Sequence, residues 1–137
     1  MTDAATNLRF DSDFDQRHTF NAYASYRWTS SLNVSLKYRY GSNFPIAGFY
    51  KMQNGQILIS DQRNRVRLPV YSRADLRANK AFHFDHFQLT LYGELLNVFS
   101  HKNVRYTTDI DDTNGRVSIN KNALFPRLPI AGIRIDF

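Results

Sequence analysis

The stretch Leu32-Asn33-Val34-Ser35-Leu36-Lys37-Tyr38-Arg39-Tyr40-Gly41 alternates without a break between apolar and polar side chains. Successive side chains of a strand point to opposite faces. This period of two therefore describes a ribbon with one greasy side (Leu32, Val34, Leu36, Tyr38, Tyr40) and one polar side (Asn33, Ser35, Lys37, Arg39). The preceding segment repeats the pattern, with Phe20, Ala22, Ala24, Tyr26 and Trp28 against Thr19, Asn21, Tyr23, Ser25 and Arg27. Only Thr29-Ser30-Ser31 separates the two. Together they read as a hairpin whose strands far exceed the mean of about 5–6 residues in globular proteins.

Further along, the alternation resumes after Pro69, with Ala74, Leu76 and Ala78 opposite Tyr71, Arg73, Asp75, Arg77 and Asn79. A short link at 83–86 leads to Phe87, Leu89, Leu91, Gly93 and Leu95, which oppose Gln88, Thr90, Tyr92 and Glu94. The last segment sets Pro129, Ala131, Ile133, Ile135 and Phe137 against Ile130, Gly132, Arg134 and Asp136. Residues 1–16 are polar and acidic, with Asp11, Asp13 and Asp15 at alternate positions, and read as loop. Asn54-Gly55 predicts a small hairpin inside the connection 42–68.

The connections run short (29–31), long (42–68), short (83–86), long (100–127). A transmembrane β-barrel has this rhythm, with tight turns on one side and long loops on the other. A soluble sandwich has no reason to sort its loops by length. Strands of about 9–11 residues also suit a tilted bilayer crossing. The barrel reading makes a second demand, an aromatic girdle beside the short turns. Trp28, Phe82, Phe87 and Phe137 all fall at that level. The predicted fold is all-β, an antiparallel up-and-down meander of about five long strands belonging to a transmembrane β-barrel.

Composition agrees with this class. Among 137 residues there are 11 Phe and 8 Tyr, types that favour strands and apolar–polar boundaries. No apolar run approaches the roughly 18 residues of a membrane-spanning helix. Cysteine is absent, which excludes a disulfide scaffold and thiolate metal sites. The net charge of +6 points to an anionic partner. Thr2-Asp3-Ala4-Ala5-Thr6-Asn7 after Met1 has none of the character of a signal peptide.

Chemistry-bearing motifs are few. His83-x-x-His86 with Asp85 lacks further ligands and reads as a polar turn. Asp109-Ile110-Asp111-Asp112-Thr113-Asn114-Gly115 has clustered carboxylates, but Thr113 and Asn114 stand at the fifth and sixth positions where a calcium loop has an Asp or Asn ligand and a glycine, and no glutamate closes it, so it reads as a solvated loop. Arg63, Arg65, Arg67, Arg73 and Arg77 are candidate contacts for an anionic ligand or for lipopolysaccharide phosphates. Pairing of the arginines with Asp75 and Glu94 is the competing expectation. No nucleophile motif, phosphate loop or carboxylate pair appears, so no enzyme activity, metal or cofactor is expected.

Several segments resemble the C-terminal end of a TonB-dependent outer-membrane receptor. Leu68-Pro69-Val70-Tyr71-Ser72-Arg73-Ala74-Asp75-Leu76-Arg77 is similar to that family's Leu-Pro-x-Tyr-x-Arg-x-Asp-Leu motif. Leu95-Leu96-Asn97-Val98-Phe99 with Asn103-Val104 resembles its Asn-Val-Phe strand end. Asp15-Gln16-Arg17-His18-Thr19, Tyr40-Gly41-Ser42-Asn43-Phe44-Pro45 and Pro126-Arg127-Leu128-Pro129 look like further strand boundaries of the family.

The resemblance covers residues 11–137 and implies a barrel-wall fragment, with 1–16 a loop remnant and 17–137 the last strands. Ile133, Ile135 and Phe137 would then carry the signal read by the barrel-assembly machinery. The implied location is the outer membrane of a Gram-negative-type bacterium. The implied partners are outer-membrane lipid and lipopolysaccharide, the assembly machinery, and the rest of a barrel with its plug, but no nucleic acid. The implied role is active uptake of a large nutrient such as an iron chelate, cobalamin or saccharide. The alternatives are a soluble basic β-sheet module for an anionic ligand or nucleic acid, and a small barrel assembled from several copies.

Overall fold

A computed structural model of the chain describes residues 9–104, 110–113, 116–119 and 123–137. Every regular element among them is a strand: β1 (Thr19–Thr29), β2 (Leu32–Gly41), β3 (Tyr50–Gln53), β4 (Gln56–Ile59), β5 (Tyr71–His83), β6 (Gln88–Leu96), β7 (Ile110–Thr113), β8 (Arg116–Ile119) and β9 (Leu128–Asp136). They form two sheets, one ordered β1-β2-β5-β6-β9 and one ordered β3-β4-β8-β7. The chain divides into two compact units that correspond largely to these sheets.

The five-stranded sheet is the antiparallel meander expected from the alternation. Its strands are 9 to 13 residues long. The first turn forms because the Thr29 hydroxyl accepts hydrogen bonds from the main-chain N–H of Ser31 (3.3 Å) and Leu32 (3.1 Å). The second closes when the Phe84 N–H donates to the Phe87 carbonyl at 2.9 Å. Ala81 N–H donates to Ser31 O at 2.8 Å, which sets the first turn beside the end of the β5–β6 hairpin.

Register separates the two faces. On one, Leu76, Ala78, Lys80 and Phe82 of β5 stand opposite Leu95, Gly93, Leu91 and Leu89 of β6. Those β6 residues in turn face Pro129, Ala131, Ile133 and Ile135 of β9. On the other face Arg77 pairs with Glu94, Asn79 with Tyr92, and Ala81 with Thr90. Tyr92 faces Gly132 on β9, where a side chain at 132 would run into the Tyr92 ring. A glycine under an aromatic ring is a cross-strand fit available only to that residue pair.

The second unit of structure departs from expectation. The stretches 42–68 and 100–127 read as long connections with one small hairpin, yet they supply four short strands. Asn54 (φ 51°) and Gly55 (φ 76°) turn the β3–β4 hairpin as predicted, both in the left-handed region that this turn requires. β4 then pairs with β8, and β8 with β7. Apolar β-branched residues in short runs drive this sheet: Ile57 faces both Met52 and Val117.

Buried apolar side chains are scarce. Among the described residues they are Val66, Leu68 and Val117 in one unit and Ala74 in the other. The five-stranded sheet thus buries a single alanine, while Trp28 (72%), Ile133 (67%) and Leu36 (45%) stand exposed. The fully buried side chains are asparagines: Asn64, Asn97 and Asn103.

Candidate functional site

The apolar face of the five-stranded sheet is uncovered by any other element of its unit. From β1 it takes Phe20, Ala22, Ala24, Tyr26 and Trp28, and from β2 Leu32, Val34, Leu36, Tyr38 and Tyr40. Phe20 and Tyr38 meet with ring centroids 6.2 Å apart, and the Tyr38 hydroxyl lies 3.1 Å from Ser72 Oγ on β5. These contacts join β1, β2 and β5 into one continuous apolar surface.

Aromatic rings gather at its turn end. Phe87 lies 6.5 Å from Phe137 and stacks on Phe84 at 4.6 Å. Phe82 occupies the row next to that turn, facing Leu89. Trp28 ends β1 beside the other turn and meets Tyr26 edge-on at 6.0 Å. All four aromatics expected at one level stand at this end, and Phe84 joins them. Its place inside the tight turn hid it from a pattern based on strand parity. Ile133 and Ile135 lie on the same face, 67% and 50% exposed.

The polar face holds a recess of about 310 Å³ lined by side chains of four strands. Tyr23, Lys37, Asp75, Arg77 and Glu94 are among them. Arg77 lies 5.1 Å over the Tyr92 ring and donates from Nε to Asn79 Oδ1 at 3.0 Å. Arg73 donates to Asp75 Oδ1 at 2.7 Å and covers the Phe125 ring at 5.2 Å. The expected pairing of an arginine with Asp75 is therefore present. Glu94 stands opposite Arg77 in register, but Arg77 directs its Nε to Asn79 instead.

At the far end of β6, Asn97 adopts a left-handed φ of 52°. Its N–H donates to Asp75 Oδ1 at 3.0 Å, and its side-chain amide donates to the carbonyls of His101 (3.1 Å) and Phe125 (3.3 Å). The His101 N–H returns a bond to Asn97 Oδ1 at 3.1 Å. One buried amide thus ends two strands and fixes the exit of a third segment.

In the other unit, Arg63, Arg65 and Arg67 separate by role. Arg67 donates to the main-chain oxygens of Asp15 and Asn43, both at 3.0 Å, to Asp11 Oδ2 at 2.6 Å, and to the Asp15 carboxylate. That contact with Arg67 holds the Asp15 carboxyl below the usual carboxylate range, with help from Arg17. Arg63 pairs with Asp13 at 3.0 Å and lies 5.1 Å over Phe10. Asn64 lies between the two, φ 62°, donating to Asp11 O at 2.7 Å and Asp13 Oδ1 at 2.6 Å. Arg65 donates within its loop to Gln62 Oε1 at 2.8 Å and is exposed. The alternate aspartates 11, 13 and 15 were the available signal for this clasp, but their partners lie some fifty residues away.

His83 closes β5 opposite Gln88, and His86 sits exposed in the turn. Asp111 and Asp112 lie within β7, while Asp109, Asn114 and Gly115 fall outside the described residues. No group of three His, Cys, Asp or Glu among the described residues is placed to hold a metal. No helix among them is long and apolar enough to cross a membrane.

Neither protein-family models, nor curated proteins, nor solved structures gave a match to this chain.

Proposed function

We propose that the five-stranded sheet is part of the wall of a transmembrane β-barrel. The chain would be the C-terminal segment of a TonB-dependent outer-membrane receptor. The observation that carries this reading is the uncovered apolar face, backed by a polar face with a recess. A soluble chain of this length would bury an apolar core, whereas a barrel wall gives that face to lipid and the other to its lumen. Aromatic residues gathered at the turn end of the apolar face support the same reading, as interfacial anchors.

In that role the sheet lines and supports a passage for a large nutrient, of the kinds the family resemblance implies. The edge strands β1 and β9 would pair with further strands of the barrel, because open edges are not tolerated in hydrocarbon.

The soluble alternative rests on the net charge of +6. It loses force because a soluble module calls for a compact two-sided core, and among the described residues the unit of the five-stranded sheet buries Ala74 as its only apolar side chain.

Refolding the chain into phospholipid vesicles, with Trp28 as the fluorophore, tests the proposal. Lipids brominated near the headgroup are expected to quench Trp28 more strongly than lipids brominated at the chain end. A monodisperse, detergent-free monomer would remove the barrel reading.

A further inference from the structure

The apolar face of the five-stranded sheet carries one charged side chain among the described residues, that of Lys80. Every other position on that face of the five strands is apolar, aromatic, glycine or proline, except Ser72. A charge on such a face is costly unless its head reaches a polar layer. Lys80 has the means to do so. It lies on β5 at the level of the first turn, since the next residue, Ala81, bonds Ser31 O. Its stem runs along the Phe82 ring, with Nζ 5.8 Å from the centroid, and Nζ reaches Ser31 Oγ at 2.7 Å.

An ammonium has three donors. The Ser31 hydroxyl takes one of Lys80's. We propose that Lys80 is a binding site for the anionic headgroup of a membrane lipid. This rests on the barrel-wall reading above, which places this end of the face at a membrane interface. The chemistry suits a phosphodiester: a cation held at the edge of an apolar surface, a hydroxyl beside it, and an aromatic ring to pack the glycerol and upper acyl chain. Acyl chains would lie along the exposed surface toward Leu91 and Ile133, the residues opposite Lys80 in register.

The test uses the full chain and vesicles of phosphatidylcholine with rising fractions of phosphatidylglycerol, read by Trp28 emission. Phosphatidylglycerol is expected to strengthen association, and Lys80→Gln to remove about five-fold of that gain. Lys80→Arg, which keeps the charge, is expected to retain it. Arg27→Gln is the control, because Arg27 adjoins Trp28 but belongs to the polar face; it is expected to change the preference less than Lys80→Gln. An unchanged lipid preference in Lys80→Gln overturns the site. An equal loss in Arg27→Gln also overturns it, by assigning the effect to general surface charge. Competition by millimolar inorganic phosphate at constant ionic strength would show a free-anion site and overturn the lipid assignment. Insertion into pure phosphatidylcholine with no response to phosphatidylglycerol removes this proposal alone, whereas no insertion into any vesicle removes the barrel reading with it.

Discussion

Arg67 binds Asp15 twice, through the carboxylate and through the main-chain oxygen. A guanidinium has the planar fork for such a double grip and a lysine does not. The same group holds Asp11 at 2.6 Å, so one side chain fixes the segment that leads into β1. Arg67→Lys keeps the charge and loses the fork. Amide exchange in residues 11–16 is expected to rise several-fold in that variant, and further in Arg67→Ala. Equal exchange in all three chains would show that the clasp holds nothing in place.

The same contact predicts a pH response. Asp15 has its carboxyl pKa lowered in the folded chain, chiefly by Arg67. A lowered folded value means that the unfolded chain takes up the proton first as pH falls. The contribution is therefore complete above the ordinary aspartate value of about 3.9, and disappears as pH drops through the lower folded value. Arg67 is shifted upward, so its own contribution is lost only in strong alkali. Exchange in residues 11–16 is expected to be flat between neutral pH and about pH 5 after correction for intrinsic rates, and to accelerate below about pH 4. Acceleration near pH 6 would implicate a histidine instead.

Asn97 offers a test of the strand ends. Its side chain makes three hydrogen bonds in full burial, and its φ is left-handed. Asn97→Ala loses the bonds and forces a Cβ-bearing residue without local compensation into that conformation, for a cost of about 3 kcal/mol. Asn97→Gly loses the bonds alone and is expected to cost less. Denaturant midpoints of the chain refolded in detergent would rank the two. A reversed order would show that backbone strain plays no part.

Tyr92 and Gly132 give a double-mutant cycle. Gly132→Ala places a methyl where the Tyr92 ring lies, which displaces the ring from Arg77. The expected loss is about 1–2 kcal/mol. In a Tyr92→Leu background the same change should cost much less, because the obstacle has gone. Additive losses would mean that the ring moves freely and that Gly132 serves another purpose.

The long strands were legible because a period of two survives in any strand that separates two environments. Leu32–Gly41 and Leu128–Asp136 fall where the alternation places them. β5 runs longer than its pattern, which reads cleanly only to Asn79; Lys80 breaks the apolar series although the strand continues to His83. β7 and β8 are four residues each, too short for periodicity to register, and their pairing is nonlocal. The acidic–arginine clasp escaped for the same reason. Asp13 meets Arg63 across fifty positions of sequence, and nothing in either stretch names the other. Arg73 with Asp75, two residues apart on one strand face, was by contrast readable directly.

Leu36 and Ser35 are adjacent on β2 and belong to opposite faces, so one substitution at each separates lipid from water as the neighbour of the apolar face. Leu36 is exposed near the middle of its strand, while Ser35 lines the polar recess. If the apolar face meets hydrocarbon, Leu36→Lys carries a penalty of about 2–4 kcal/mol for a cation at the bilayer midplane. Ser35→Lys puts the same charge on the polar side and is expected to insert into vesicles much as the unaltered chain does. In a soluble sheet the order reverses. An exposed leucine gives way to lysine at little cost in water, whereas a second lysine in the recess crowds Lys37 and Arg77. Vesicle insertion that fails for Leu36→Lys and survives for Ser35→Lys is the expected result. Insertion of both would show that neither face meets hydrocarbon, and loss of Ser35→Lys alone would place the polar face there instead.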